Sequence, residues 1–334
     1  MAQAAAGGTR LRGPLLLTLK IVFSLGLLAF LLRRIPVEQV GESLRHVDRG
    51  WLAAATLVLL ASNVLGSWQW SRLLEVVGIR LPLWRVCAYY HVGLFFNNFL
   101  PANIGGDFAR VVDASRHGPS RAAAFSTVLM DRLIGTLALA GLALVTTLPA
   151  VDRFHFSLLY LALVGFFALS VTLVWAVFHP AMLPAVERGM RRVGLGAFGP
   201  ALDDLALRLQ GYRDQSRLLA RLLAVAVVVQ LARVAVHALV ARALGISVPW
   251  LYFFLFVPLL AVIVSLPISL NGIGVREGAG IVLFGLVGVD RAAAFSLQFT
   301  TYLVAVGLSL LGGLVFLVRL PRRRAERRQL RRLS

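Results

Sequence analysis

The sequence predicts an all-α polytopic membrane protein, with about six full spans plus two re-entrant helical hairpins in an inverted repeat. Three observations carry this. Hydrophobic residues make up 59% of the 334 residues and the mean hydropathy is +0.81, well above the roughly 45–50% apolar share of soluble domains. Apolar runs of about 18 residues or more recur along the chain, long enough to cross a bilayer core. Two polar, glycine-bearing breaks, at residues 97–110 and 266–278, interrupt that apolar sequence. The runs are continuous and do not alternate, which argues against a β-barrel.

The elements follow in order. Residues 1–14 form a basic cytoplasmic arm, and residues 15–318 a single transmembrane domain. The first span, 15–32, has no small-residue cleavage site after it and is expected to be retained. Residues 33–50 are polar, with an interfacial helix as the expectation. The second span is 51–70, with Trp51, Trp68 and Trp70 near its ends as interface anchors. The apolar run 83–99 ends at the first break, and 107–116 is too short and too charged to cross, so 83–116 reads as a hairpin. Irregular backbone at that depth is tolerated only where protein or a wet cavity surrounds it. Spans three and four cover 121–148 and 155–178, joined by a turn containing Pro149. Residues 179–218 carry six arginines with Leu202, Leu205 and Leu209 at helical spacing, which predicts an amphipathic cytoplasmic helix. Span five is 219–244, the second hairpin is 250–288, and span six is 291–318. Residues 319–334 are a tail with eight arginines.

The formal net charge is +19, and Lys20 is the one lysine. Basic loops set topology and touch anionic lipid heads, so no nucleic-acid partner is expected. Placing the 179–218 segment and the tail inside puts both termini in the cytoplasm, with the bacterial inner membrane as the location. This leaves 33–50, with Arg33, Arg34, Arg45 and Arg49, on the outer side, against the charge rule. Arginine and alanine in place of lysine point to a GC-rich bacterial genome.

The two breaks resemble one another. Leu100-Pro101 matches Leu266-Pro267, and Asn103 with Gly105 and Gly106 resembles Asn271 with Gly272 and Gly274. Arg-Ala-Ala-Ala-Phe-Ser follows each, at 121–126 and 291–296. On the orientation above the hairpins enter from opposite faces, as in transporters whose substrate site lies where broken helices meet. The hairpin-tip backbone is then Pro101, Gly105, Gly106, Pro267, Gly272 and Gly274.

Charged groups recur inside the apolar stretches. Asp107 and Arg110 lie three apart and share a helical face, and Arg276 with Glu277 holds the matching place. Asp131 and Arg132 sit in span three, and Arg233 and His237 share a face of span five. Each such charge costs about 2.5–3.5 kcal/mol at a helix centre, which demands pairing, a wet cavity, or both. Two readings stand. In one, Asp107 and Glu277 cap the return helices and the arginines neutralise them. In the other, Asn98, Asn103, Asp107, Arg110, Asp131, Arg132, Arg233, Asn271, Arg276 and Glu277 form a site for an anionic lipid head group, which helix N-termini and guanidinium forks suit.

Enzyme signals are sparse. The six histidines are scattered and Cys87 is the one cysteine, so neither a metal site nor a disulfide is expected. No Walker loop occurs and no cofactor is implied.

At the two breaks the sequence resembles a known family. Asn98-x-x-Leu-Pro-x-x-Ile-Gly-Gly-Asp-x-x-Arg110 and Leu266-Pro-Ile-Ser-x-Asn-Gly-Ile-Gly-Val-Arg-Glu277 are similar to the signatures of the lysylphosphatidylglycerol synthase transmembrane, or flippase-like, domain. The resemblance covers about residues 10–320. It implies a flippase-like protein that handles an anionic phospholipid or a polyprenyl-phosphate-linked head group. In full synthases a soluble aminoacyl-transferase domain follows this region. The expectation here is a stand-alone member without it, which argues against lysyl transfer by this chain alone. Two alternatives remain: an integral-membrane transferase acting on a lipid-linked substrate, and a non-catalytic membrane partner of a separate lipid-modifying enzyme.

Overall fold

A computed structural model describes residues 37–99, 104–179, 188, 199–266, 269 and 272–333. The expected first span, 15–32, lies outside the described residues. Eleven α-helices of nine residues or more organise the described residues. They are α1 (Val37–Arg45), α2 (Arg49–Val76), α3 (Leu83–Phe99), α4 (Ile104–Ala114), α5 (Arg121–Thr147), α6 (Ser157–Phe178), α7 (Gly199–Gln210), α8 (Ser216–Ala243), α9 (Trp250–Ser265), α10 (Val275–Gly285) and α11 (Arg291–Leu333). No strand occurs among the described residues. The protein is all-α and polytopic: Arg49–Val76, Arg121–Phe154, Ser157–Phe178, Leu202–Ala243 and Arg291–Arg319 are each long and apolar enough to cross a membrane.

The long helices start at explicit caps. The Asp48 carboxylate accepts from Gly50 N at 2.7 Å and opens α2. Ser120 Oγ accepts from Ala123 N at 3.0 Å and opens α5. Asp290 does the same for Ala292 N at 2.7 Å ahead of α11. The two Arg-Ala-Ala-Ala-Phe-Ser segments thus both begin helices behind a capping side chain. Along α6, Leu158 is 81% exposed, an apolar surface suited to lipid and not to water.

Both breaks produce hairpins. α3 and α4 have 17 and 11 residues and pack against one another; α9 and α10 have 16 and 11 and do likewise. At about 1.5 Å per residue, an 11-residue helix spans about 16 Å, half of a bilayer core. The second tip turns through Gly272 and Gly274 at φ 76° and 80°, a region that residues with a Cβ avoid. Gly105 and Gly106, expected at the first tip, lie instead in the first turn of α4. Gly106 serves a close approach: a Cβ there would collide with Gly93 O and with Asn97, whose Oδ1 accepts from Gly106 N at 3.0 Å.

The recurrence is wider than the hairpins. α2 and α8, both of 28 residues, each precede one. Both end on the same glycine turn: Ile79 N donates to Leu74 O and Ile246 N to Ala241 O, each at 2.9 Å, around Gly78 and Gly245 at φ 82° and 70°. Packing repeats as well. Within each set of four (α2 to α5 and α8 to α11), the same four helix pairs touch. Between the sets, α3 lies on α11 as α9 lies on α5. The helices α2 and α8 pack against one another and are antiparallel. Asp48 N at the start of α2 donates to Ala243 O at the end of α8, at 2.8 Å. Tyr212 Oη, just before α8, donates to Leu73 O near the end of α2, at 2.9 Å. The two hairpins therefore begin at opposite ends of the bundle.

Two apolar cores accompany the two sets. One gathers Phe253, Phe256, Leu259, Leu283, Phe284 and Leu297 around the second hairpin. The other gathers Trp70, Leu73, Val86, Tyr89, Met130 and Tyr212 beside the first. The amphipathic segment contributes α7, which packs on α5 and buries Leu209.

Candidate functional site

The charges of the first hairpin pair across helices. Arg110 Nη2 on α4 meets Asp131 Oδ2 on α5 at 2.7 Å, with side-chain exposures of 7% and 11%. Arg132 clamps Asp107 with two hydrogen bonds, Nε to Oδ2 at 2.8 Å and Nη2 to Oδ1 at 3.0 Å. The expected Asp107–Arg110 pair is a secondary contact at 3.9 Å. Asp131 and Arg132 are adjacent on α5 and reach one acid–base couple on α4, so the long side chains bridge the helix interface before they fold along one helix. Gln69 Nε2 donates to the second Asp131 oxygen at 3.0 Å. The Arg110 guanidinium lies 4.2 Å from the Trp70 ring centre and 4.9 Å from that of Tyr90. Two acids and two bases cancel here, and the group fastens α4 to α5.

A separate cavity of about 330 Å³ lies between the hairpins, within the size range of small-ligand sites. α3 brings Asn97 and Asn98 from beside the first break, α2 brings Asn63, and α8 brings Gln230, Arg233 and His237. The second hairpin brings Arg276 and a wall that includes Val257 and Val264, and α11 brings Thr301 and Tyr302. Leu59, Leu94, Leu139 and Leu142 complete an apolar surround. Arg233 Nη1 donates to Gln230 Oε1 at 3.4 Å. His237 Nδ1 lies 2.9 Å from Arg233 O. A carbonyl only accepts, so the proton sits on Nδ1 and the Nε2 of a neutral ring is an acceptor. The Arg276 guanidinium stands 4.5 Å from the Tyr302 ring centre. No carboxylate lines the cavity among the described residues.

Glu277 does not line that space. Its Oε2 accepts from Gly274 N at 2.7 Å within the first turn of α10, at 3% residue exposure. For Glu277 the geometry is that of a helix cap. Of the residues the sequence singled out, the structure brings Asn98, Arg233 and Arg276 together at the cavity, and Asp107, Arg110, Asp131 and Arg132 together in the paired group. Asn103, Asn271, Pro101 and Pro267 lie outside the described residues. The cavity residues Asn63 and Gln230 gave no sequence signal beyond being amides in apolar runs, whereas Asn97 opens the first polar break.

A further polar cluster at the mouth of the first hairpin was not anticipated. Asp113, 3% exposed, lies 3.9 Å from Arg319, which sits 4.6 Å from the Tyr89 ring centre. Tyr89 Oη is 3.0 Å from His117 Nε2. Partial burial, with Arg85 and Arg116 nearby, holds the His117 imidazole below the ordinary histidine range. Among the described residues no group of three histidine, cysteine or acidic side chains could hold a metal.

Comparison with known proteins gives one coherent answer. Residues 17–313 match the model of the lysylphosphatidylglycerol synthase TM region. The chain is also 23% identical over 322 residues to the UPF0104 membrane protein PH1989 of Pyrococcus horikoshii, covering 90% of this chain and 96% of that protein.

Proposed function

The chain belongs to the lysylphosphatidylglycerol synthase TM region family, and from that premise we propose that it is a flippase-like protein that moves or holds an anionic lipid head group in the cavity between its hairpins. The observation that carries this is the meeting of Arg233, Arg276 and the amides of Asn63, Asn97 and Asn98 around one space whose remaining walls are mostly aliphatic. Guanidinium forks and neutral amides suit phosphate oxygens, and aliphatic walls admit the first methylenes of a lipid. Two sets of helices that begin at opposite ends of the bundle support reading them as an inverted repeat, the arrangement on which alternating access commonly rests. In this reading the hairpins are re-entrant from opposite faces of a cytoplasmic membrane, and the termini lie inside. The paired group Asp107, Arg132, Arg110 and Asp131 keeps the first hairpin seated on α5 while access changes.

Proteoliposomes with a fluorescent anionic phospholipid test this. Transbilayer equilibration is expected to depend on protein and to slow at least tenfold in Arg233→Gln and Arg276→Gln. Equal rates in wild type and both variants would remove the cavity from the function.

A further inference from the structure

We infer that the end of the bundle where α2 begins and α8 ends carries a second lipid site, which takes the phosphate of an anionic phospholipid such as phosphatidylglycerol from the leaflet on that side. It is separate from the cavity between the hairpins and stands whether or not that cavity holds a head group. A pocket of about 350 Å³ opens there, with Arg242, Ser247, Trp51, Trp250 and Phe253 among its walls. The helices α2 and α8 both belong to segments long and apolar enough to cross a membrane. Trp51 lies in the first turn of α2 and Arg242 in the last turn of α8, so the pocket is at head-group depth, where amphipathic tryptophans sit. Trp51 and Trp250 are 40% and 41% exposed. The Arg242 guanidinium stands 5.4 Å from the Trp51 ring centre.

The helix-ending turn does not require this arginine. Counted back from Gly78 and Gly245, the third residue is Glu75 in one turn and Arg242 in the other. Glu75 O accepts from Gly78 N at 3.1 Å and Arg242 O from Gly245 N at 3.0 Å, so the same turn forms with either charge. The Glu75 carboxylate is taken by a neighbour, Arg72, whose Nη1 lies 2.9 Å away. In α8 the place of Arg72 falls to Leu239. Among the described residues no acid lines the Arg242 pocket. At this end of the bundle Asp48 caps α2 and Asp290 caps α11, and residues 1–36 contain no Asp or Glu. A guanidinium fork beside a hydroxyl at head-group depth matches the single charge of a phosphodiester. An ammonium on the same head group finds no carboxylate on these walls. The pocket also adjoins the cavity: along α9, Phe253 lines the one and Val257 the other, about one helical turn apart. A phospholipid docked at Arg242 thus lies beside the space between the hairpins.

The test is photolabelling of the full chain in phosphatidylcholine nanodiscs that hold a trace of phosphatidylglycerol with a diazirine near the top of one acyl chain. Adducts are mapped by peptide mass spectrometry. Saturable adducts are expected at residues 246–253. Unlabelled phosphatidylglycerol should displace them at a mole fraction at least tenfold lower than phosphatidylethanolamine. Arg242→Gln should reduce them at least fivefold with no change in melting temperature, which a misfolded variant would not do. Arg233→Gln should leave them intact. Adducts on the cavity wall at 257–264 that vanish in Arg233→Gln report the cavity instead, so the two readings fail separately. Equal displacement by the two lipids, or adducts indifferent to Arg242→Gln, makes Arg242 an interface anchor only and overturns the site. Displacement by inorganic phosphate overturns the assignment to a lipid. Loss of the adducts at 246–253 in Arg233→Gln as well as in Arg242→Gln overturns the separation of pocket from cavity.

Discussion

The pairing of Arg110 with Asp131 makes a quantitative demand on stability. The two side chains are 7% and 11% exposed and their nearest atoms are 2.7 Å apart. They are therefore in the buried regime, where removing one partner strands the other at about 3–5 kcal/mol. The two single changes should differ. In Asp131→Asn, Arg110 can still lean on Asp107, 3.9 Å away, and it keeps the Trp70 and Tyr90 rings, so the loss falls near the lower figure, about 3 kcal/mol. In Arg110→Met, Asp131 keeps only the Gln69 amide at 3.0 Å, and the ring contacts go too, which carry about 2 kcal/mol when desolvated. That loss falls near the upper figure, about 5 kcal/mol. The double variant has no stranded charge and should be less destabilised than Arg110→Met alone. Reversible unfolding of all four proteins in mixed detergent micelles gives the coupling energy, expected to exceed about 2 kcal/mol. Additive losses would refute the pairing as the main restraint between α4 and α5.

Three more outcomes follow from local geometry. A Cβ at Gly312 would strike the backbone carbonyl of His91 where α11 crosses α3, whereas Gly307 on the same helix has open space. Gly312→Ala should therefore lower the melting temperature in detergent, at about 1–3 kcal/mol of overpacking, while Gly307→Ala holds or raises it; equal effects would contradict the close approach. Glu277→Ala removes the acceptor for Gly274 N and should cost about 0.5–2 kcal/mol, with Glu277→Gln retaining most of it; matching melting curves for wild type and Glu277→Ala would reject the cap. His117 resists protonation in the folded protein, because of its partial burial and then Arg85 and Arg116, opposed by Asp113. The unfolded chain thus binds more protons as pH falls below the ordinary histidine range, so this residue's share of stability is present above that range and lost as pH falls through it. His117→Gln should flatten the decline in melting temperature on the acid side of neutrality, and an unchanged slope would show that His117 contributes none of it.

Much of the fold was legible because length and breaks decide it. A helix needs about 20 apolar residues to cross, and the runs before each break fall short of that, so the chain had to turn back at 97–110 and 266–278. The wider recurrence is also written in the sequence. Gly78-Ile79-Arg80-Leu81-Pro82 and Gly245-Ile246-Ser247-Val248-Pro249 share a Gly-Ile-x-aliphatic-Pro pattern ahead of each hairpin. In the structure both form the same helix-ending turn. The pairing of charges was not legible, because proximity along a helix competes with proximity across helices. Asp107 and Arg110 share a face, yet each has its short contact on α5. Nor did the sequence separate Arg110 from Arg276, since both are arginines in a return helix after a glycine-bearing break. Asn63 and Gln230 were silent for another reason: neutral amides cost little enough in a helix to carry no warning.

The two hairpins use one scaffold for different ends, and the order of two residues explains how. In the first return helix the acid comes first: Asp107 precedes Arg110, both face α5, and Asp131 and Arg132 answer both. In the second the base comes first, and Arg276 precedes Glu277. Position along the first turn then decides the outcome. Glu277 falls where its carboxylate reaches back to Gly274 N and closes the helix start. Arg276, one residue earlier and about 100° around the helix, is turned toward Tyr302 and the cavity. A symmetric pair of hairpins would place the same chemistry on both sides of the central space. This reversal places an interhelical group of two acids and two bases on one side and sets Arg276 at the cavity on the other, so the cavity takes its arginines from the second hairpin and α8 while the first hairpin contributes amides.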